Sequence, residues 1–295
     1  MRILLTGATG FVGRAFLKSI TPDAEVLCIG RTKPDRLDVK FVQTDLQDPR
    51  SVRDAADKLD GNFDALIHLA AYVPRQGAED LLQESNNVNV SGLVNLLDEF
   101  KGRFNSLVIG STAEVYDQAR ISGPIHEDSP VGPGSFYGAT KLAGEYIAQT
   151  FGKKNNIPTV ILRFSVMYGP DDPIARALPN FIKSALRGDD IQISGGQNLR
   201  DYIHIDDVVR SISLAVDSKK SGVVNIGTGK GVTIEDAARQ VVAAANSVSQ
   251  IQINDKEGNA GVDIVIDTRV AERLIGFRAS TIFPDKLGEM IDSYR

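Results

Sequence analysis

The thirteen residues from Met1 to Gly13, M-R-I-L-L-T-G-A-T-G-F-V-G, constrain this chain more than any other stretch. Ile3, Leu4 and Leu5 form an unbroken apolar run, the pattern of a strand buried on both faces of a parallel sheet. Thr6 and Gly7 end it. Phe11, Val12 and the segment from Ala15 to Leu17 then begin an apolar pattern of helical period. Between strand and helix, Gly7, Gly10 and Gly13 recur at intervals of three. A strand, a glycine turn and a helix start aim free backbone N–H groups and the positive end of a helix dipole at one point, which is an anion site. Gly7 makes the sharp turn, Gly10 lets a pyrophosphate approach the backbone, and Gly13 lets the helix pack close on the strand. The spacing is G-x-x-G-x-x-G rather than the G-x-G-x-x-G of the general dinucleotide fingerprint. A dinucleotide is the expected ligand.

Further strands are expected at 25–29, 39–42, 64–69, 107–109 and 159–162, with helices between them at about 49–59, 79–100 and 136–154. Strands alternating with helices give an α/β fold, a Rossmann doubly wound parallel sheet of order 3-2-1-4-5-6 with ligands at the carboxyl ends of the strands. After Pro170 the texture changes. Helices are expected at 174–187, 206–216, 233–245, 269–274 and 285–294, and short strands at 191–194, 223–226 and 251–253. Thr233 is a plausible N-cap, with Asp236 at the third position. The division expected is a dinucleotide-binding domain over 1–169, to which segments near 200–230 return, and a smaller substrate-binding lid domain over 170–295.

The length of 295 residues allows one large α/β domain or two intertwined ones. Hydrophobic content of 42% and charged content of 24% are those of an ordinary globular enzyme. A net charge of −5 implies no basic face for nucleic acid. The single cysteine, Cys28, lies in an apolar strand and reads as a buried thiol. No leader and no apolar run near about 18 residues is seen, so no membrane partner is expected and the location expected is cytoplasmic.

Two stretches carry chemistry. In Tyr137-Gly-Ala-Thr-Lys141, tyrosine and lysine at i and i+4 share a helix face. An ammonium beside a phenol favours the phenolate, so the tyrosine is expected below its reference value of about 10 and able to take or give a proton at an alcohol oxygen. In Gly110-Ser-Thr-Ala-Glu-Val-Tyr116, a hydroxyl at the end of the fifth strand lies beside that tyrosine in this topology. Thr112 would donate to the reacting oxygen and orient it.

With these motifs the chain resembles the extended short-chain dehydrogenase/reductase proteins of the NAD-dependent epimerase/dehydratase family, typified by UDP-glucose 4-epimerase. Matching segments run from T-G-A-T-G-F-V-G at 6–13 through H-L-A-A at 68–71, N-V-S-G at 89–92, S-T-A-E-V-Y at 111–116, Y-G-A-T-K at 137–141 and Y-G-P at 168–170. They end with R-D-Y-I-H-I-D-D-V at 200–208 and N-I-G-T-G at 225–229. The resemblance implies that Phe11 and Val12 meet the pyrophosphate through their backbones and that Asp45 and Leu46 contact the adenine. It implies that Leu69, Ala70 and Ala71 lie along the cofactor, that Tyr137 is the acid/base and that Lys141 holds the nicotinamide ribose. Thr112, with Ala113 and Glu114 beside it, would bind the reacting sugar, and Arg200 the diphosphate of a nucleotide-sugar. Asn89 and His204 would be structural. The helices near 79–100 and 136–154 would form a four-helix bundle across a homodimer.

Four positions depart from the family pattern. Gly30 replaces the ribose-binding acid after the second strand, and Arg31 follows; an arginine there suits a 2′-phosphate and favours NADP over NAD. Ala113 stands where dehydratases often carry Asp, which weakens dehydration because elimination needs both an acid and a base. Val166 replaces an Asn that would hydrogen-bond the nucleotide sugar. The late segment near 257–263 lacks its expected arginine. The resulting expectation is a nucleotide-sugar 4-epimerase working through a transient keto intermediate, with an NADPH-dependent 4-keto-sugar reductase as the alternative. A third reading, a cofactor-binding regulator without chemistry, is opposed by the intact Thr112, Tyr137 and Lys141.

Overall fold

The computed structural model describes residues 1–21, 23–36, 39–74, 81–172, 176–254 and 262–295. Its first strand is β1 (Arg2–Thr6), in which Ile3, Leu4 and Leu5 have no exposed surface. Side chains alternate across a strand, so Ile3 and Leu5 enter one apolar core and Leu4 enters the other. Two buried faces are why the run is apolar without interruption.

From β1 the chain passes through the glycine turn into α1 (Phe11–Ser19) and outward through β2 (Glu25–Gly30) and β3 (Lys40–Gln43). Next comes α2 (Pro49–Lys58), started by Asp48, whose carboxylate accepts from the Arg50 N–H, and by Pro49 in the first turn. β4 (Ala65–His68) then pairs with the other side of β1. A continuous helical run follows: α3 (Leu82–Asn86), a π-helical turn at Asn87–Ser91, and α4 (Gly92–Glu99). Residues 79 and 80 of the helix expected at 79–100 lie outside the described residues. β5 (Leu107–Thr112), α5 (Phe136–Asn155) and β6 (Thr159–Phe164) complete the first six strands.

Beyond β6 run β7 (Val166–Tyr168), α6 (Ala177–Arg187), β8 (Ile191–Ile193), β9 (Leu199–His204), α7 (Ile205–Ser218) and β10 (Gly222–Ile226). The last elements are β11 (Gly231–Thr233), α8 (Ile234–Ala245), β12 (Ile251–Ile253), α9 (Arg269–Ile275) and α10 (Leu287–Asp292). Thr233 caps α8 by accepting from the Asp236 N–H at 2.9 Å.

The large parallel sheet has seven strands in the order β10-β6-β5-β4-β1-β2-β3. This is the expected 3-2-1-4-5-6 order with β10 added beyond β6. The order reverses between β1 and β4, and a crevice opens there at the strands' carboxyl ends. A three-stranded sheet, β11-β9-β7, and the β12-β8 pair lie in the later part of the chain, where a third core gathers residues of α6, α8 and α10. This smaller sheet and helix layer is consistent with a substrate-binding lid.

The strands β7, β9 and β11 were not anticipated in the sequence. β9 reads L-R-D-Y-I-H, and its Asp201 and His204 are buried, which breaks the apolar pattern. The Asp201 carboxylate accepts from the Thr228 N–H at 2.8 Å, the Thr228 hydroxyl at 2.6 Å and the Gly229 N–H at 2.9 Å. It thereby ties β9 to the loop after β10.

Candidate active site

The glycine turn has the geometry its spacing implies. Gly7 has φ +78°, and a Cβ there would stand 2.5 Å from the backbone N of Ala70. A Cβ at Gly13 would stand 2.1 Å from the carbonyl oxygen of Gly7. Both approaches involve backbone that has no room to yield, so strand, turn and helix interlock only with glycine. Gly10 is the N-cap of α1 and brings no side chain to it. The Arg14 N–H donates to the Gly10 carbonyl at 2.9 Å, which leaves the N–H groups of Phe11, Val12 and Gly13 ahead of the helical ladder.

A cleft of about 250 Å³ opens on this turn. Gly7, Gly10, Arg31, Asp45, Leu46, Leu69, Ala70 and Ala71 all line it, which brings together the expected cofactor residues from β1, β2, β3 and β4. Phe11 and Gly13, in the first turn of α1, are instead buried. The fit to a dinucleotide is good at the phosphate end, where the helix start presents donors and no carboxylate. At the far end a Cβ on Gly30 would meet nothing within 4 Å. Space therefore does not demand this glycine, and its effect is to leave the position without a charge beside Arg31 and Thr32.

α5 brings the second group. Ser135 caps it by accepting from the Gly138 N–H at 3.0 Å, which puts Tyr137 in the first turn. Gly138 packs so close that a Cβ would stand 2.7 Å from the carbonyl oxygen of Glu114. Tyr137 is half-buried and hydrogen-bonded to the Thr112 side chain at the end of β5. Lys141 is buried one turn along.

The expected lowering of the Tyr137 phenol is corrected by the structure. Burial pushes it up, the Glu114 charge adds to that, and Arg176 and the Thr112 hydrogen bond pull the other way. Lys141 is not among the groups acting on it, because sharing a helix face does not bring an ammonium against a ring. Burial pulls Lys141 itself down to about 8, against the opposing charge of Glu145. Burial and the Lys141 charge hold His68 near 3, so its imidazole is neutral.

Among the expected sugar-side residues, Ala113 is buried behind Thr112, while Glu114 is exposed and accepts from the Ser135 hydroxyl at 3.4 Å. Arg200 stands apart. Its Nη1 donates to the carbonyls of Leu199 at 2.8 Å and Val262 at 2.7 Å, and its charge reaches Tyr202 rather than Tyr137. Most of the segment at 257–263 lies outside the described residues.

Arg176 escaped the sequence reading. It heads α6, pairs with the buried Asp172 at 2.7 Å, and its charge acts on Tyr137 and on Tyr202. No periodicity or motif marks such a residue, since only packing of the later layer over the sheet brings it to the phenol. Glu145 was also missed, although its place four residues after Lys141 was a readable signal.

The fold and the site define an NAD(P)-binding enzyme of the extended short-chain dehydrogenase/reductase type. Residues 3–227 match the sequence model of the NAD dependent epimerase/dehydratase family, and the chain belongs to that family. It is 27% identical to a dTDP-glucose 4,6-dehydratase of Streptomyces niveus, over 100% of this chain and 93% of the relative. It is 27% identical to a UDP-glucose 4-epimerase of Lactobacillus helveticus, over 94% and 92% of the two chains. Among solved structures, MoeE5 in complex with UDP-glucose and NAD superimposes with a TM-score of 0.88 at 26% identity, covering 100% of this chain and 99% of the other.

Proposed function

We propose that this protein interconverts the 4-epimers of a nucleotide-activated sugar through a transient 4-keto intermediate, with NAD as cofactor. The observation that carries the reading is the Thr112–Tyr137 hydrogen bond at the carboxyl end of the sheet, one turn from the buried Lys141. A bound nicotinamide would supply the hydride acceptor and donor. Thr112 holds the sugar oxygen, and Tyr137 takes its proton as the C–H hydride leaves and the carbonyl forms. When the carbonyl is reduced again on its other face, Tyr137 would give the proton back to its oxygen. Lys141 holds the ribose, while Ala113, Glu114 and Arg200 belong to the substrate side. NAD is chosen because MoeE5 was solved with it. The glycine turn, with Phe11 and Val12, holds the pyrophosphate, and Asp45 and Leu46 face the adenine. Two copies of the chain pair through the outer faces of α4 and α5.

A second reading, an NADPH-dependent 4-keto-sugar reductase, is favoured by two observations. Arg31 lines the ribose end of the cleft, and the Tyr137 phenol is held in its protonated, donating form. Incubation with UDP-glucose, UDP-galactose, dTDP-glucose and 4-keto sugars separates the readings, with product followed by NMR and cofactor by absorbance in one tube. Epimer without net cofactor change supports the first reading. Stoichiometric NADPH loss supports the second, and a 4-keto-6-deoxy product identifies a dehydratase instead. Absence of reaction with every nucleotide sugar overturns the substrate class.

A further inference from the structure

Lys141 carries its ammonium into a nearly closed interior, with 7% of the residue exposed. Burial alone favours the neutral amine. Opposing it is the charge of Glu145, one turn further along α5. The other groups in the neighbourhood of this lysine offer no substitute. His68 at the end of β4 is neutral, Thr140 and Asn89 are uncharged, and the Tyr137 phenol is protonated. Arg163 on β6 is the neighbouring cation, and its charge is not among those that act on Lys141.

Glu145 is itself 1% exposed, and donors from two strands hold it. The Ser111 hydroxyl near the end of β5 donates to Oε1 at 2.5 Å. From β6, Arg163 donates through Nε to both oxygens at 3.0 and 3.1 Å and through Nη2 to Oε2 at 2.6 Å. Arg163 in turn lies 4.7 Å from the centre of the Tyr116 ring and donates to the Glu127 carbonyl. These bonds fix the Glu145 carboxylate one turn along α5 from Lys141 and against Ser111, the residue that precedes Thr112.

We propose that Glu145 is a positioning residue of the Tyr137–Lys141 pair, a carboxylate locked by Arg163 and Ser111 one helical turn from Lys141 that keeps its ammonium charged. The inference rests on the proposed use of that pair at the reacting centre. With a value of about 8, Lys141 is roughly nine-tenths charged at pH 7. Without the Glu145 charge the charged fraction falls to about half or less at the same pH, and a neutral amine gives no electrostatic support to a cofactor beside it.

The test reads the protonation of Lys141 and needs no substrate. Intact protein is treated with acetic anhydride from about pH 6 to pH 10, which spans the ordinary lysine range, and modification at Lys141 is followed by peptide mass spectrometry. The wild-type midpoint is expected near 8. Glu145→Gln lowers it by about one pH unit or more, and Glu145→Asp brings it back toward the wild type. Because Glu145→Gln strands a buried arginine, the double variant Glu145→Gln/Arg163→Gln is measured alongside, with circular dichroism to check its fold. A merely structural pair would leave the midpoint unmoved in the folded double variant, and that result overturns the inference. A wild-type midpoint at the ordinary lysine value of about 10.4 overturns it as well. Turnover by Tyr137→Phe judges the reading of the site separately, so the two fail apart.

Discussion

The side-chain amide of Asn89 donates to the Thr140 hydroxyl at 3.0 Å, while the same side chain accepts from the Tyr72 N–H at 2.7 Å and donates to the Tyr72 carbonyl at 3.2 Å. Asn89 lies in the π-helical turn, and Thr140 sits on α5 between Tyr137 and Lys141. One amide thus joins the loop after β4, the π turn and the helix that carries the tyrosine. Widened turns of this kind re-aim a side chain that a regular helix would point elsewhere. Asn89→Ala leaves buried partners without their bonds, and a loss of about 1–3 kcal/mol is expected. Urea unfolding measures it, and an unchanged midpoint would show that water satisfies those groups.

Tyr137→Phe removes the proton carrier but keeps the ring. Turnover should fall by about 10²–10⁴-fold, with NADH affinity close to that of the wild type by fluorescence titration. Retained turnover would remove Tyr137 from the reaction, whereas unchanged function of the variant in cells would return the protein to the reading in which it binds cofactor without chemistry.

Gly13→Ala sets a methyl 2.1 Å from the Gly7 carbonyl oxygen, whereas Gly10→Ala sets one at 3.3 Å from the same atom. The first change forces the helix off the strand and should cost about 1–3 kcal/mol, with loss of dinucleotide binding. The second should spare the fold and weaken binding alone. Thermal unfolding and NADH titration of the two variants check the order.

Acid should destabilise the protein through His68. Its Nδ1 is hydrogen-bonded to the Thr6 hydroxyl at 2.8 Å, and its folded value near 3 lies below the ordinary histidine value. Between those values the unfolded chain binds a proton that the folded one does not, so stability falls as pH falls from about 6.5 toward 3, with a slope of up to about 1.4 kcal/mol per pH unit. His68→Gln should flatten the profile in that window. An unaltered slope would assign the acid sensitivity to other groups.

The proposed pairing of two copies also has a readout. Val94 on α4 is 36% exposed and Tyr146 on α5 is 59% exposed. An isologous contact through these faces buries both. Light scattering should report a dimer at micromolar concentration, and Tyr146→Lys should shift it toward monomer. A wild-type monomer would remove the pairing from the proposed function.

Much of the site was legible because its parts are local. Three glycines between a strand and a helix can be read from spacing alone, as can a tyrosine and a lysine one turn apart. The sheet order was legible too, since alternating buried strands and amphipathic helices allow few parallel arrangements. Arg176, the Arg163–Glu145 pair and the Asp201 clamp were not legible, because each depends on residues brought together across long stretches of chain.

The sequence by itself determined that the chain turns around Gly7 at the end of a doubly buried strand, since no other residue fits that backbone. It also determined that Tyr137, Lys141 and Glu145 lie along one side of a helix, since helical period requires it. Only the tertiary structure decided the electrical state of those groups. Burial, the Glu114 charge and Arg176 act on Tyr137, while Glu145 acts on Lys141. Burial exists only once the helices have packed on the sheet, and the Arg176 charge reaches the phenol only once the later layer has packed over it.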